Sequence, residues 1–201
     1  MNRCILCNKD KRTGDIQDIL FGDDPLCFEC RKKWERKIIR YRINGIQGEA
    51  SYVYNDAFSK CLIQFKEMKD EALQDVFLYE VKNRLKRKYK GYTILLLPSS
   101  SKKIKERGFH HLQEMFACTG LQMSEPFEKI DDLDQKMLHK KDREKMAYGI
   151  RLKEGVHLPK KILLCDDTIT TGSTMKGALH CLNRNHHTIR MYTVSANSSW
   201  I

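Results

Sequence analysis

The stretch Ile162-Leu163-Leu164-Cys165-Asp166-Asp167-Thr168-Ile169-Thr170-Thr171-Gly172-Ser173-Thr174 decides the fold. Its apolar start, closed by a turn signal, reads as a buried strand too short to be a helix. Asp166 and Asp167 stand at the carboxyl end of that strand, and a loop of small hydroxyl residues around Gly172 follows. Met175, Ala178, Leu179 and Leu182 then recur at helical spacing. Strand, acidic pair, loop and helix start together outline a site for a phosphorylated sugar. N–H groups at a helix N-terminus point outward with partial positive charge, so they hold a phosphate. Gly172 lets the backbone approach that phosphate closely, and Thr170, Thr171, Ser173 and Thr174 add hydroxyl donors. Ionised Asp166 and Asp167 only accept hydrogen bonds, which suits a sugar diol one step back along the chain.

Other phosphate motifs do not fit this run. A nucleotide P-loop places Lys directly after its second glycine, and Ser173 follows Gly172 here. A dinucleotide fingerprint has three spaced glycines, where this loop has Gly172 alone. A Thr/Ser-capped polar turn accounts for the hydroxyls. It does not account for two adjacent carboxylates, which repel each other unless something occupies the pocket.

Working outward, Tyr92 to Leu97 is a second buried strand, followed by Pro98-Ser99-Ser100-Ser101. Ala50 to Tyr54, Phe127 to Ile130 and Thr188 to Ser195 are further strand candidates. Asp56 is expected to cap a helix that runs through Lys66. A second helix is expected over about Asp70 to Lys88, with Leu73, Phe77, Val81 and Leu85 on one face. Arg31 to Arg42 reads as a basic helix carrying Trp34, Ile38 and Tyr41 near one face. Strands separated by helices predict an α/β fold, a parallel sheet covered on both sides. Ligands in such sheets sit beyond the carboxyl ends of the strands, where Pro98 and Asp166 both fall.

At the amino end, Cys4-Ile5-Leu6-Cys7 and Cys27-Phe28-Glu29-Cys30 form two C-x-x-C knuckles. Four thiolates turned toward one point suit a structural Zn²⁺, with no coordination position left open. The mostly polar segment between the knuckles buries too little to fold alone, so metal binding would supply the missing stability. A redox dithiol is normally a single motif at a helix start. The expected division is residues 1–42, a zinc module with its basic linker helix, and residues 43–201, the main domain. Cys61, Cys118, Cys165 and Cys181 have apolar neighbours and read as core packing.

Eight cysteines without a secretion signal point to a reducing, cytoplasmic setting. No signal peptide and no membrane insertion are expected, because no apolar run approaches a spanning length. The formal charge of +11 suits a polyanionic partner such as a sugar pyrophosphate or nucleic acid, although a Lys-rich surface also serves solubility.

The Asp166–Thr174 run resembles the phosphoribosyl-pyrophosphate (PRPP) motif of type I phosphoribosyltransferases, and the whole chain resembles the ComF family of competence proteins. The resemblance rests on the zinc module, Arg107-Gly108-Phe109, the Gln135, Leu138 and Arg143 segment, and the PRPP motif, in that order. Three positions depart from the family pattern: His110-His111 replaces Asn-Gln, and Met146 replaces Asn. The two histidines read as loop residues rather than metal ligands.

The resemblance implies that Asp166 and Asp167 grip the ribose and that Thr168 and Thr170 to Thr174 hold the 5′-phosphate. It implies that Ser99, Ser100 and Ser101 receive the pyrophosphate, and that Arg143 acts from a mobile lid. Mg²⁺ would accompany PRPP. Lys102, Lys103, Lys140 and Lys141 are candidates, with Arg143, to stabilise the departing pyrophosphate. No residue stands out as a general base, which leaves the acceptor open. The family also implies a part in natural transformation, through single-stranded DNA and other competence proteins. A binding protein that has kept the PRPP fold is therefore the second expectation beside a transferase.

Overall fold

The computed structural model describes residues 3–11, 24–99, 101–130 and 149–200, with Ser101 and Lys102 as backbone only. The expected lid, with Arg143, Lys140, Lys141 and Met146, lies outside the described residues, as does Ser100.

Eight strands and six α-helices are described: α1 Phe28–Lys32, β1 Arg36–Ile43, β2 Ile46–Val53, α2 Asp56–Glu67, α3 Lys82–Lys88, β3 Thr93–Leu96, α4 Ser101–Arg107, α5 His111–Ala117, β4 Met123–Ser124, β5 Phe127–Lys129, β6 Ile150–Leu152, β7 Lys161–Ile169, α6 Ser173–His180 and β8 Thr188–Ala196. The main sheet has the order β1-β2-β8-β7-β3-β4. Its pairings are parallel except that β1 runs antiparallel to β2, so the sheet is mixed rather than wholly parallel. The β5 and β6 strands form a separate antiparallel pair.

The run Ile162 to Cys165 lies at the centre of the main sheet, fully buried between β3 and β8. Such two-sided burial explains its continuous apolar character. Trp34 anchors an aromatic cluster beside the sheet, edge-on to Tyr52 and Phe58 with centroids 5.5 and 4.8 Å away. Phe77, Phe65 and Phe109 extend that cluster toward the carboxyl ends of the strands. No helix among the described residues is long and apolar enough to cross a membrane.

The structure corrects three expected elements. Arg31 to Arg42 is not a helix, because α1 ends at Lys32 and β1 begins at Arg36. Ile39, Tyr41 and Ile43 are buried in strict alternation, whereas Ile38, counted on the helical face, is 51% exposed. Asp70 to Lys88 is broken into a 3-10 turn, Glu71–Val76, and the short α3. Leu73, Val76, Phe77, Leu78 and Val81 are all buried there, more than one helical face can hide. Finally, α2 is capped by Asn55 rather than Asp56, its side chain accepting the Phe58 N–H at 3.0 Å.

The Cys4 segment packs onto this same core. Arg31 makes a two-pronged ion pair with buried Asp24, both contacts at 2.7 Å, and donates to the Val76 carbonyl at 2.9 Å. Its guanidinium also lies over the Trp34 ring, 4.9 Å from the centroid. A buried charge so fully partnered fixes the orientation of the module on the aromatic cluster.

Candidate functional site

The carboxyl ends of β3 and β7, neighbours in the sheet, open onto one cavity of about 200 Å³. Pro98, Ser99 and Lys103 line it from the β3 side, and Asp166, Asp167 and Thr174 from the β7 side. Lys66 at the end of α2, Arg107 and His111 complete one wall, and Lys129 reaches in from β5. The two loops that the sequence singles out therefore meet, in a setting rich in cations.

Beyond the acidic pair, Gly172 takes a left-handed conformation, φ +73°, directly before α6. A Cβ there would also stand 3.0 Å from Ile43 Cδ1 and 3.2 Å from Trp200 Cζ2, so both backbone and space select glycine. Trp200 supports the loop from behind, donating its indole N–H to the Thr170 carbonyl at 2.6 Å. The Thr171 hydroxyl accepts the Ser173 N–H at 3.4 Å and donates to Ser173 Oγ at 3.1 Å. The first N–H groups of α6 have no acceptor within the helix and open into a hollow of about 20 Å³ formed by the loop. Thr168 turns toward the neighbouring strand, its hydroxyl paired with Ser195 Oγ at 2.8 Å. Ser99 lines the main cavity with Oγ 3.5 Å from His111 Nδ1, and Ser101 opens α4.

The two carboxylates differ in their surroundings. Asp167 Oδ2 accepts Lys66 Nζ at 2.6 Å and His111 Nε2 at 2.9 Å. Burial alone would raise the Asp167 carboxyl, but the His111 N–H and the Lys66 ammonium outweigh it and hold it below the usual carboxylate range. Asp166 has the Asp167 backbone N–H on its Oδ1 at 2.9 Å. Burial, and then the neighbouring Asp167 charge, push Asp166 up to about 7. Burial lowers His111 to about 4, against the pull of Asp167, so the ring is neutral at physiological pH.

In the amino-terminal segment, the thiol sulfurs of Cys4, Cys7, Cys27 and Cys30 all lie within 4.8 Å of one another. Cys7 and Cys27 are 3.7 Å apart, close to the roughly 3.8 Å sulfur–sulfur edge that a tetrahedron with 2.3 Å metal–sulfur bonds requires. Both knuckles close alike: Asn8 N–H donates to the Cys4 carbonyl at 2.8 Å, and Arg31 N–H to that of Cys27 at 2.9 Å. Four cysteines so placed can hold a metal ion.

No family model matches the chain. It is 25% identical to the competence protein ComFC of Streptococcus pneumoniae over 198 residues, covering 86% of this chain and 90% of that protein. To ComFC of Bacillus subtilis it is 23% identical over 210 residues, covering 89% and 88%. The chain is ComFC-like.

The ComFC-like chain brings residues to the site that its sequence did not single out. Lys66 lies 101 positions from its partner Asp167, and His111, read as a loop residue, is 4% exposed at the start of α5, 56 positions away. His110 is the helix N-cap, its ring accepting the Gln113 N–H at 3.3 Å. Arg107-Gly108-Phe109 has a structural role as well: Arg107 Nε donates to the Lys66 carbonyl at 2.7 Å, and the Phe109 ring packs 5.2 Å from Phe65. Together they seal the end of α2 against α4 and α5. A hydrophobic and basic signature can be seen in sequence, but which backbone carbonyl it caps cannot.

Proposed function

We propose that this protein binds PRPP at the junction of β3 and β7 and transfers its phosphoribosyl group to an acceptor, acting in natural competence as its ComFC relatives' name implies. The observation that carries this reading is the convergence of the acidic pair and the β3 loop on one cation-lined cavity, with the hollow of the Gly172 loop adjoining it at Asp166 and Thr174. The 5′-phosphate sits on the N–H groups that open α6, with Thr170, Thr171, Ser173 and Thr174 around it. The sugar lies against the part of the cavity lined by the acidic pair. Lys103 and Lys129 flank the position of the pyrophosphate and stabilise the charge that grows on it as the C1–O bond breaks. Arg143 would add to them from the lid. Mg²⁺ is expected with PRPP, held by phosphate oxygens and water, and when bound it neutralises part of the pyrophosphate charge. Both His111 ring nitrogens are occupied, so His111 does not deprotonate the acceptor.

The four cysteines suit Zn²⁺ as a structural ion. Isothermal titration with PRPP and Mg²⁺ tests the site: the Asp166→Ala, Asp167→Ala double variant is expected to lose the heat that the wild type releases. Equal heats in both would remove the site proposed here. Release of pyrophosphate in the presence of a panel of bases tests the transfer step.

A second reading, contact with single-stranded DNA, is favoured by a groove of about 450 Å³ lined by Arg40, Arg42, Lys88 and Arg190. Strand register puts it at the amino ends of β2 and β8, away from the sugar site. Glu49 in its floor is already neutralised by Arg84 at 2.8 Å and by Lys88, so the groove remains cationic. Four such cations predict that binding of an oligo-dT weakens with salt at a log–log slope of about −3. A slope near zero argues against a phosphate-driven contact. The two readings are compatible, because their sites do not share a residue.

A further inference from the structure

Neighbouring residues of a strand point to opposite faces, so Asp166 and Asp167 leave β7 in different directions before reaching the same cavity. Asp167 enters a linked set of protein contacts there through its Oδ2. Lys66 and His111 both donate to its Oδ2. Arg107 Nη1 lies 2.9 Å from the other nitrogen of His111, Nδ1. A guanidinium only donates, so Nδ1 is the acceptor and Nε2 carries the ring hydrogen. Arg107 also donates to the Lys66 carbonyl and lies 3.7 Å from Glu67, which returns the set to the last turn of α2. Turning Asp167 toward a ligand would leave a half-buried ammonium and a buried imidazole N–H unpaired, a cost above that of one lost surface contact. Among the described residues, Asp166 has only a backbone N–H as its hydrogen-bond partner.

We infer that Lys66, His111 and Arg107 are positioning residues that commit Asp167 to the protein and leave Asp166 as the carboxylate that meets the sugar diol. The assignment of the diol rests on the PRPP reading, whereas the tautomer and the contacts around Asp167 do not. The acidic pair is then a divided pair: one member grips the ligand and the other holds the wall of the cavity in register. His111 occupies the place where the resembling family has Gln, a side chain that also presents an N–H donor at its tip.

The test uses His111→Gln, which keeps a donor, and His111→Leu, which removes it. Each is titrated with PRPP and Mg²⁺ beside the wild type and Asp166→Asn, with thermal unfolding recorded for all. Nitrogen-15 NMR of the histidine rings in the wild type, between pH 5 and 8, reads the tautomer, and the His111→Gln spectrum assigns the signal. Gln is expected to bind within about threefold of wild type, Leu roughly tenfold or more weakly, and Asn at position 166 not measurably. The His111 ring is expected to stay neutral with its hydrogen on Nε2 down to pH 5. Wild-type affinity in His111→Leu, or a ring protonated on Nδ1 at pH 6, overturns the arrangement. Should the wild type itself fail to bind PRPP, the diol assignment falls with the sugar reading, and the ring spectrum still decides the contacts around Asp167.

Discussion

Asp166 carries an energetic cost that can be measured without any ligand. Its folded-state pKa, about 7, stands above its ordinary value of 3.8. Between those values the folded protein holds a proton that the unfolded chain has released. Stability from this group is therefore fully present below about pH 4 and is lost as the pH rises through 7. Asp166→Asn removes the penalty, and is expected to raise the unfolding free energy by about 1–3 kcal/mol at pH 8 with little change at pH 4. Urea unfolding of both proteins at the two pH values checks this. His111 works in the opposite sense: lowered from 6.5 to about 4, it adds stability above 6.5 that fades as the pH falls toward 4. A variant whose stability gain is the same at both pH values would show that Asp166 ionises normally. A group kept at such a cost next to an ion-paired neighbour marks a site arranged for binding rather than for stability.

At the scale of elements, what sequence reveals depends on whether the deciding contacts are local. β7, its acidic pair, the loop and α6 form one uninterrupted run, so strand, turn and helix start could be read directly. Lys66 and His111 could not, because nothing near either residue signals a partner on another element. β1 was hidden for a different reason: Trp34, Ile38 and Tyr41 imitate helical spacing, while Ile39, Tyr41 and Ile43 alternate as a strand, and only the presence of β2 decides between the two periods. Pairing of β1 with β2 depends on Gly48. The Tyr41 ring lies flat over it, so a Cβ there would fall 2.2 Å from the ring. Gly48→Ala is expected to destabilise the fold by about 2 kcal/mol or more, because the ring is buried and cannot swing clear. Thermal unfolding of this variant measures it, and an unchanged midpoint would mean that Tyr41 packs elsewhere.

At the scale of the whole molecule, the cysteine module is not an independent bead. Cys4, Leu26, Cys30 and Trp34 belong to the same apolar cluster as the sheet. Loading the four cysteines with Zn²⁺ and then chelating it is thus expected to lower the unfolding midpoint of the entire chain, by about 5 °C or more, in one transition rather than to melt a separate segment. Calorimetry with and without a chelator distinguishes these outcomes. The connection could be seen only in part from sequence: two knuckles announce a metal, but the Arg31–Asp24 pair that seats them on Val76 joins residues with no shared motif.

Trp200 gives the molecule a built-in optical gauge. The chain has two tryptophans, and the other, Trp34, is sealed in the aromatic cluster. An anion settling on the Gly172 loop draws on the backbone to which the Trp200 indole is bonded. Emission from the native protein should therefore shift on occupancy without any attached dye, and Trp200→Phe should silence that shift while leaving the Trp34 signal in place.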